Sequence, residues 1–228
     1  MKKLVILGES HTRSFSHREN ILPFFMDTGK MINLEKSNLP HINERITKIK
    51  SEIDFNNNVV FLYIGEPNCR LKVRGHWEPH WDEIKKGIKV NPNVDKEYLN
   101  ECIDNMDMID MGHIDYIITP TGAYDPVIPS LKYFNDLLKE KYGSKVIDIF
   151  TNTIDKDMRV LDEYKAKDWF ADPIHLNSKV SEDLIHILEQ RGIIDNINDY
   201  KSDIDGYFGT HLILKNIKKS NFGSYVIK

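Results

Sequence analysis

Ser10, His175 and Asp172 are the residues of this chain whose types and spacing best suit joint chemistry. Ser10 closes the run Leu4-Val5-Ile6-Leu7-Gly8-Glu9-Ser10, a short apolar segment followed at once by a glycine. A hydroxyl just beyond the carboxyl end of a buried parallel strand faces the crevice where α/β proteins hold their ligands. Far downstream, Asp172-Pro173-Ile174-His175 sets a carboxylate and an imidazole three residues apart, on the same side of a single turn. In that arrangement His175 takes the Ser10 proton as the hydroxyl attacks and returns it to the leaving group, while Asp172 fixes the ring tautomer. Each residue also has an ordinary explanation: Ser10 as a helix cap, His175 as a core histidine, Asp172 as a turn residue before Pro173. Taken together, the three suggest a serine hydrolase.

Other residues invite weaker readings. His11 and Arg13 flank the serine and are candidates to line a site; a place on a helix surface is their plain alternative. The segment His76-Trp77-Glu78-Pro79-His80-Trp81-Asp82 has metal-ligand types, but Pro79 breaks the helix that a His-x-x-x-His pair needs, and no distant third ligand stands out. We therefore expect no metal and no cofactor. Trp77 suits a wall against which a sugar stacks, with a packed loop as the alternative.

Five short β-branched or aromatic runs must carry these groups: Leu4–Leu7, Ile21–Met26, Val59–Ile64, Asp115–Thr119 and Lys145–Ile149. Between them run helical stripes: Ile42, Ile46, Ile49 and Ile53; then Leu99, Ile103 and Met106; then Leu131, Phe134 and Leu138. A last helix is predicted from about Ser178 to Arg191, with Val180, Leu184, Ile187 and Leu188 inward, Asn177 as cap and Gly192 as stop. Such alternation predicts a three-layer α/β/α fold with a five-stranded parallel sheet, of flavodoxin-like type. The stretch from His11 to Asn20 is short for a crossover between parallel strands. Residues 66–95 read as a long insertion, of the length that functional loops have.

The 228 residues fit one α/β domain. We divide them into a hydrolase-like domain over 1–192 and an extension over 193–228 packed on the same domain. A formal net charge of -4 gives no electrostatic support for nucleic-acid binding. No apolar run is long enough to span a bilayer, and the apolar run after Met1-Lys2-Lys3 is too short for a signal peptide. Cys69 and Cys102 have no framework spacing, so reduced thiols in a cytoplasmic protein are expected.

The segment Gly8-Glu9-Ser10-His11-Thr12-Arg13-Ser14-Phe15 resembles the nucleophile segment of the SGNH/GDSL hydrolase superfamily, usually Gly-Asp-Ser. Asp172-x-x-His175-Leu176-Asn177 resembles its terminal Asp-x-x-His segment. Val59 to Glu66 is similar to its strand-then-glycine segment. The resemblance implies a fold of SGNH type and an esterase whose nucleophile is Ser10. It also implies an oxyanion hole formed by the Ser10 N–H, the Gly29 N–H and a third donor. The family's asparagine position after the third strand is occupied by Pro67, which has no N–H, so Asn68 becomes the candidate third donor. Gly65-Glu66-x-x-Cys69-Arg70 further resembles a sub-group found beside polysaccharide-synthesis functions, in which Arg70 would line the site. The expected substrate is a small-molecule or carbohydrate ester, with an O-acetyl sugar preferred. An acyltransferase using the same triad and a non-catalytic glycan- or partner-binding module are the alternatives. Oligomeric state is left open.

Overall fold

A computed structural model describes residues 2–26, 32–74, 93–166 and 174–208 of the protein, with the side chains of 71–74 set aside. Gly29, Asp172 and the His76–Asp82 segment lie outside the described residues. Five parallel strands, β1 (Leu4–Gly8), β2 (Ile21–Phe25), β3 (Val59–Tyr63), β4 (Tyr116–Ile118) and β5 (Val146–Ile147), form one sheet in the order β2-β1-β3-β4-β5. All residues of β1 and β3 are buried, as helices on both faces of a sheet require. The helices are α1 (Leu39–Glu52), α2 (Glu66–Arg74), α3 (Lys96–Asn105), α4 (Ile128–Tyr142) and α5 (Lys179–Gln190). This is the α/β architecture the alternation of patterns predicts.

The apolar stripes explain the helices. Ile42, Ile46 and Ile49 of α1 are buried, as are Leu99 and Ile103 of α3 and Leu131, Phe134 and Leu138 of α4. In α5 the inward set is Val180, Leu184, Ile185 and Leu188, and Ile187 is only half-buried. Asn177 Oδ1 accepts the Lys179 N–H at 2.9 Å, satisfying one of the unpaired amides at the start of α5. Gly192, with φ of 65°, ends it in the left-handed conformation.

Two features of the expected β1–β2 unit have local reasons, and one element differs from the sequence expectation. The β1–β2 connection is short because it is a 3-10 turn over Ser10–Phe15, whose rise of about 2.0 Å per residue returns the chain in few residues. Pro23 sits inside β2, which is tolerated because β2 is an edge strand. The stretch beginning at residue 66 is not loop throughout: α2 starts at Glu66, directly after β3. Pro67 falls in the first turn of that helix, where its missing N–H costs no intrahelical bond.

Two cysteines, Cys69 and Cys102, are buried free thiols. Residues 193–208 run along the β1–β2 connection. Glu19 N–H donates to Lys201 C=O at 2.9 Å, Asp203 N–H to His17 C=O at 2.7 Å, and Tyr200 is 3% exposed.

Candidate active site

The strand order reverses direction between β1 and β3, which opens a crevice at their carboxyl ends. Gly8 is needed there: a Cβ on it would lie 2.1 Å from the Tyr63 carbonyl oxygen of β3. Glu9 then leaves the strand, its N–H donating to that same Tyr63 carbonyl at 3.3 Å, and Ser10 opens the 3-10 turn. Ser10 is half-buried. Its N–H is the first of a helical turn, one of the amides that have no acceptor within the turn.

Ser10 Oγ lies 2.7 Å from His175 Nε2, across 165 residues of sequence. In the Nδ1–H tautomer, Nε2 accepts the hydroxyl hydrogen, and Nδ1–H is the group an orienting acid would accept from. The backbone on either side of His175 is pinned. Ile174 C=O accepts from Ala123 N–H at 2.7 Å, in the segment after β4, and Leu176 C=O accepts from Ser14 Oγ at 3.3 Å. Ser14 belongs to the same 3-10 turn as Ser10, so one short turn carries both the hydroxyl and a brace for the imidazole segment. Residue type alone gave no reason to single out Ser14.

Behind this pair lies a polar cluster sealed from solvent. Glu9, His11, Glu66 and Arg70 are between 1% and 5% exposed. Arg70 forks onto Glu66, Nε to Oε1 at 2.9 Å and Nη2 to Oε2 at 3.1 Å. His11 Nε2 is 3.5 Å from Glu66 Oε2, and its ring centroid is 4.5 Å from that of His175. The Glu66 N–H donates to Glu9 Oε1 at 3.1 Å, so the carboxyl before Ser10 caps the helix after β3. Glu9 thereby holds the turn that joins the two strand ends.

Burial, reinforced by repulsion from Glu66, pushes the Glu9 carboxyl well above the usual range. Burial also pushes Glu66 up, but Arg70 and His11 outweigh it and hold Glu66 below its ordinary value. Burial and the nearby His175 lower His11, favouring a neutral ring. The donor atoms of Glu9, His11 and Glu66 lie within 4.8 Å of one another, close enough to surround a small ion. Arg70, however, already occupies both Glu66 oxygens, and a divalent ion there would sit against a guanidinium.

Three expected site residues change role in this setting. Asn68 is not at the oxyanion position. It is 0% exposed on α2, its Oδ1 accepting from Leu34 N–H at 3.1 Å and its Nδ2 donating to Tyr98 OH at 2.9 Å and Cys102 Sγ at 3.4 Å. The helix turns its carboxamide into the core, and both amide hydrogens are used there. Arg70 does not line an open site but is buried on Glu66, and His11 is likewise buried beside His175. The contribution of Glu66 was missed because the stretch from residue 66 read as an insertion and not a helix. Once α2 is a helix, Glu66 and Arg70 are an i, i+4 pair, the spacing at which such side chains meet.

No family model matches the chain, and no curated protein matches it. Among solved structures it is similar to one provisionally described as a platelet activating factor from Streptococcus pneumonia, at 12% identity over 83% of each chain with a TM-score of 0.48. It is also similar to one provisionally described as an acylhydrolase from Bacteroides fragilis, at 12% identity over 86% of each chain with a TM-score of 0.46. Likeness at this level of identity concerns the fold alone.

Proposed function

We propose that the protein is a serine hydrolase that cleaves an acyl ester through an acyl-enzyme on Ser10. The observation that carries this reading is the 2.7 Å approach of Ser10 Oγ to His175 Nε2 at the strand-order reversal. His175 Nε2 takes the Ser10 hydroxyl proton as Oγ bonds to the ester carbonyl carbon, and the carbonyl oxygen becomes an oxyanion facing the Ser10 N–H. Collapse breaks the bond to the alcohol oxygen, which leaves with the proton from His175. Water then attacks the acyl carbon, His175 takes its proton, and the acid is released as that proton returns to Ser10. Asp172 is the proposed orienting acid and Gly29 the proposed second amide of the oxyanion hole. An O-acetylated carbohydrate is the proposed substrate; Trp77 would provide a surface for the sugar. The sequence of steps uses a side-chain base and backbone amides, so it calls on no cofactor.

The test is labelling by a fluorophosphonate probe together with turnover of p-nitrophenyl acetate. The wild type is expected to be labelled and active, and Ser10→Ala to be neither. His175→Ala should lose nearly as much as Ser10→Ala, and the double variant little more, because members of one catalytic unit are not additive. A folded wild type that neither labels nor turns over would overturn the proposal in favour of a binding module. Turnover that appears only when a sugar hydroxyl is present as acceptor would make it an acyltransferase.

A further inference from the structure

Both chain neighbours of Ser10 end on one residue. Glu9, just before it, accepts the Glu66 N–H at 3.1 Å, and His11, just after it, places Nε2 3.5 Å from Glu66 Oε2. Arg70, one turn further along α2, locks the Glu66 carboxylate by a two-pronged contact. The turn that presents the hydroxyl and its N–H is therefore held from both sides by β3–α2.

The cluster is also short of one positive charge. It contains two carboxylates and one guanidinium, all nearly inaccessible to water, with a histidine held neutral by burial. An uncompensated buried charge is costly, so such sites acquire a proton or a cation. Glu9 Oε2 is buried with no hydrogen-bond partner, and the buried His11 Nε2 has no hydrogen bond beyond its 3.5 Å approach to Glu66 Oε2. Among the described residues, the other titratable groups facing the cluster are Tyr63 of β3, Cys69 of α2 and His175. Burial raises Tyr63 and Cys69, which keeps both neutral, so neither alters the count. One proton on the Glu9 carboxyl brings the cluster to neutrality. A divalent ion would instead leave a net positive charge beside His175, which must itself become an imidazolium in the proposed reaction.

We infer that Glu66 is a positioning residue for the nucleophile, acting through Glu9 and His11, and that one proton held on the Glu9 carboxyl keeps the clamp neutral. The positioning part rests on the proposed serine chemistry; the buried proton does not.

Two measurements test it. Infrared difference spectra between wild type and Glu9→Gln at neutral pH should show one protonated carboxyl in the wild type that the variant lacks. Metal analysis of the wild type should find no stoichiometric ion, and chelation should change nothing. Absence of the carboxyl band, or a stoichiometric ion lost in Glu9→Gln, would overturn the buried proton whether or not Ser10 is reactive. For positioning, Glu66→Ala should slow fluorophosphonate labelling and kcat by about 10- to 100-fold with KM nearly unchanged, the order expected for a misplaced reacting group. Glu9→Gln, which keeps shape and can donate, should retain most of the labelling rate. Glu66→Gln serves as the second variant if Glu66→Ala does not fold, with a smaller loss in the same direction. A folded Glu66 variant that labels at the wild-type rate would overturn the positioning role. A wild type that is not labelled would remove both the serine chemistry and this role, leaving the infrared result to decide the proton.

Discussion

Asn68→Ala separates two roles for one residue by moving two different observables. An oxyanion donor would be felt in kcat, by about 100-fold or more, with little change in stability. The structure predicts the opposite. The substitution leaves the buried Leu34 N–H without its acceptor, which costs about 1–3 kcal/mol, and removes donors to Tyr98 OH and Cys102 Sγ worth about 1 kcal/mol between them. The sum, about 2–4 kcal/mol, corresponds to a fall in Tm of roughly 5–15 °C for a chain of this size. Thermal unfolding followed by circular dichroism, beside kcat on one soluble ester at a temperature where the variant stays folded, reads both. The expected result is a lower Tm with kcat within about twofold, since that carboxamide faces the core and not Ser10. A 100-fold loss of kcat at unchanged Tm would refute the placement of Asn68 and return it to the oxyanion hole.

Gly8→Ala should abolish soluble folded protein, because the new methyl would stand 2.1 Å from the Tyr63 carbonyl oxygen; a normal yield and urea midpoint would show that the strand ends can separate. Ser14→Ala removes the 3.3 Å bond to Leu176 C=O that braces the His175 segment, worth about 1 kcal/mol. It should lower kcat by about 5-fold with KM little changed, and an unaltered kcat would show that the brace is dispensable. His17 is held down to about 3 by burial and the Arg18 charge, against an ordinary value of 6.5. The unfolded chain therefore binds its proton first, and stability is full above about pH 6.5 and lost as pH falls toward about 3, at up to about 1.4 kcal/mol per unit. His17→Gln should flatten that part of the urea-midpoint profile, and an unchanged slope would assign the acid sensitivity elsewhere.

The order of elements was legible in the sequence where burial leaves a periodic mark. Leu4 to Leu7 and Val59 to Tyr63 are continuous apolar runs because both faces of those strands are covered, and α1, α3 and α4 each bury one stripe. Ser10 and His175 could be picked out for the same kind of reason, since a residue's place at the end of a strand or before a helix is a local property. Local signals failed where one residue type serves two contexts. Pro67 reads from the sequence as a missing oxyanion donor in an insertion, yet it sits in the first turn of a helix, and reading a loop there concealed the spacing of Glu66 and Arg70. Asn68 was assigned by its distance along the chain from Gly65. The rotation of α2, set by packing against α3 and α4, points it at Leu34 and Cys102 instead. Residue types and their periods thus determined which segments are strands and helices and which groups are candidates for nucleophile and base. Only the tertiary structure decided which buried charges meet, because Glu9, His11 and Glu66 are joined through the pairing of β1 with β3, a contact between distant segments that no local period encodes.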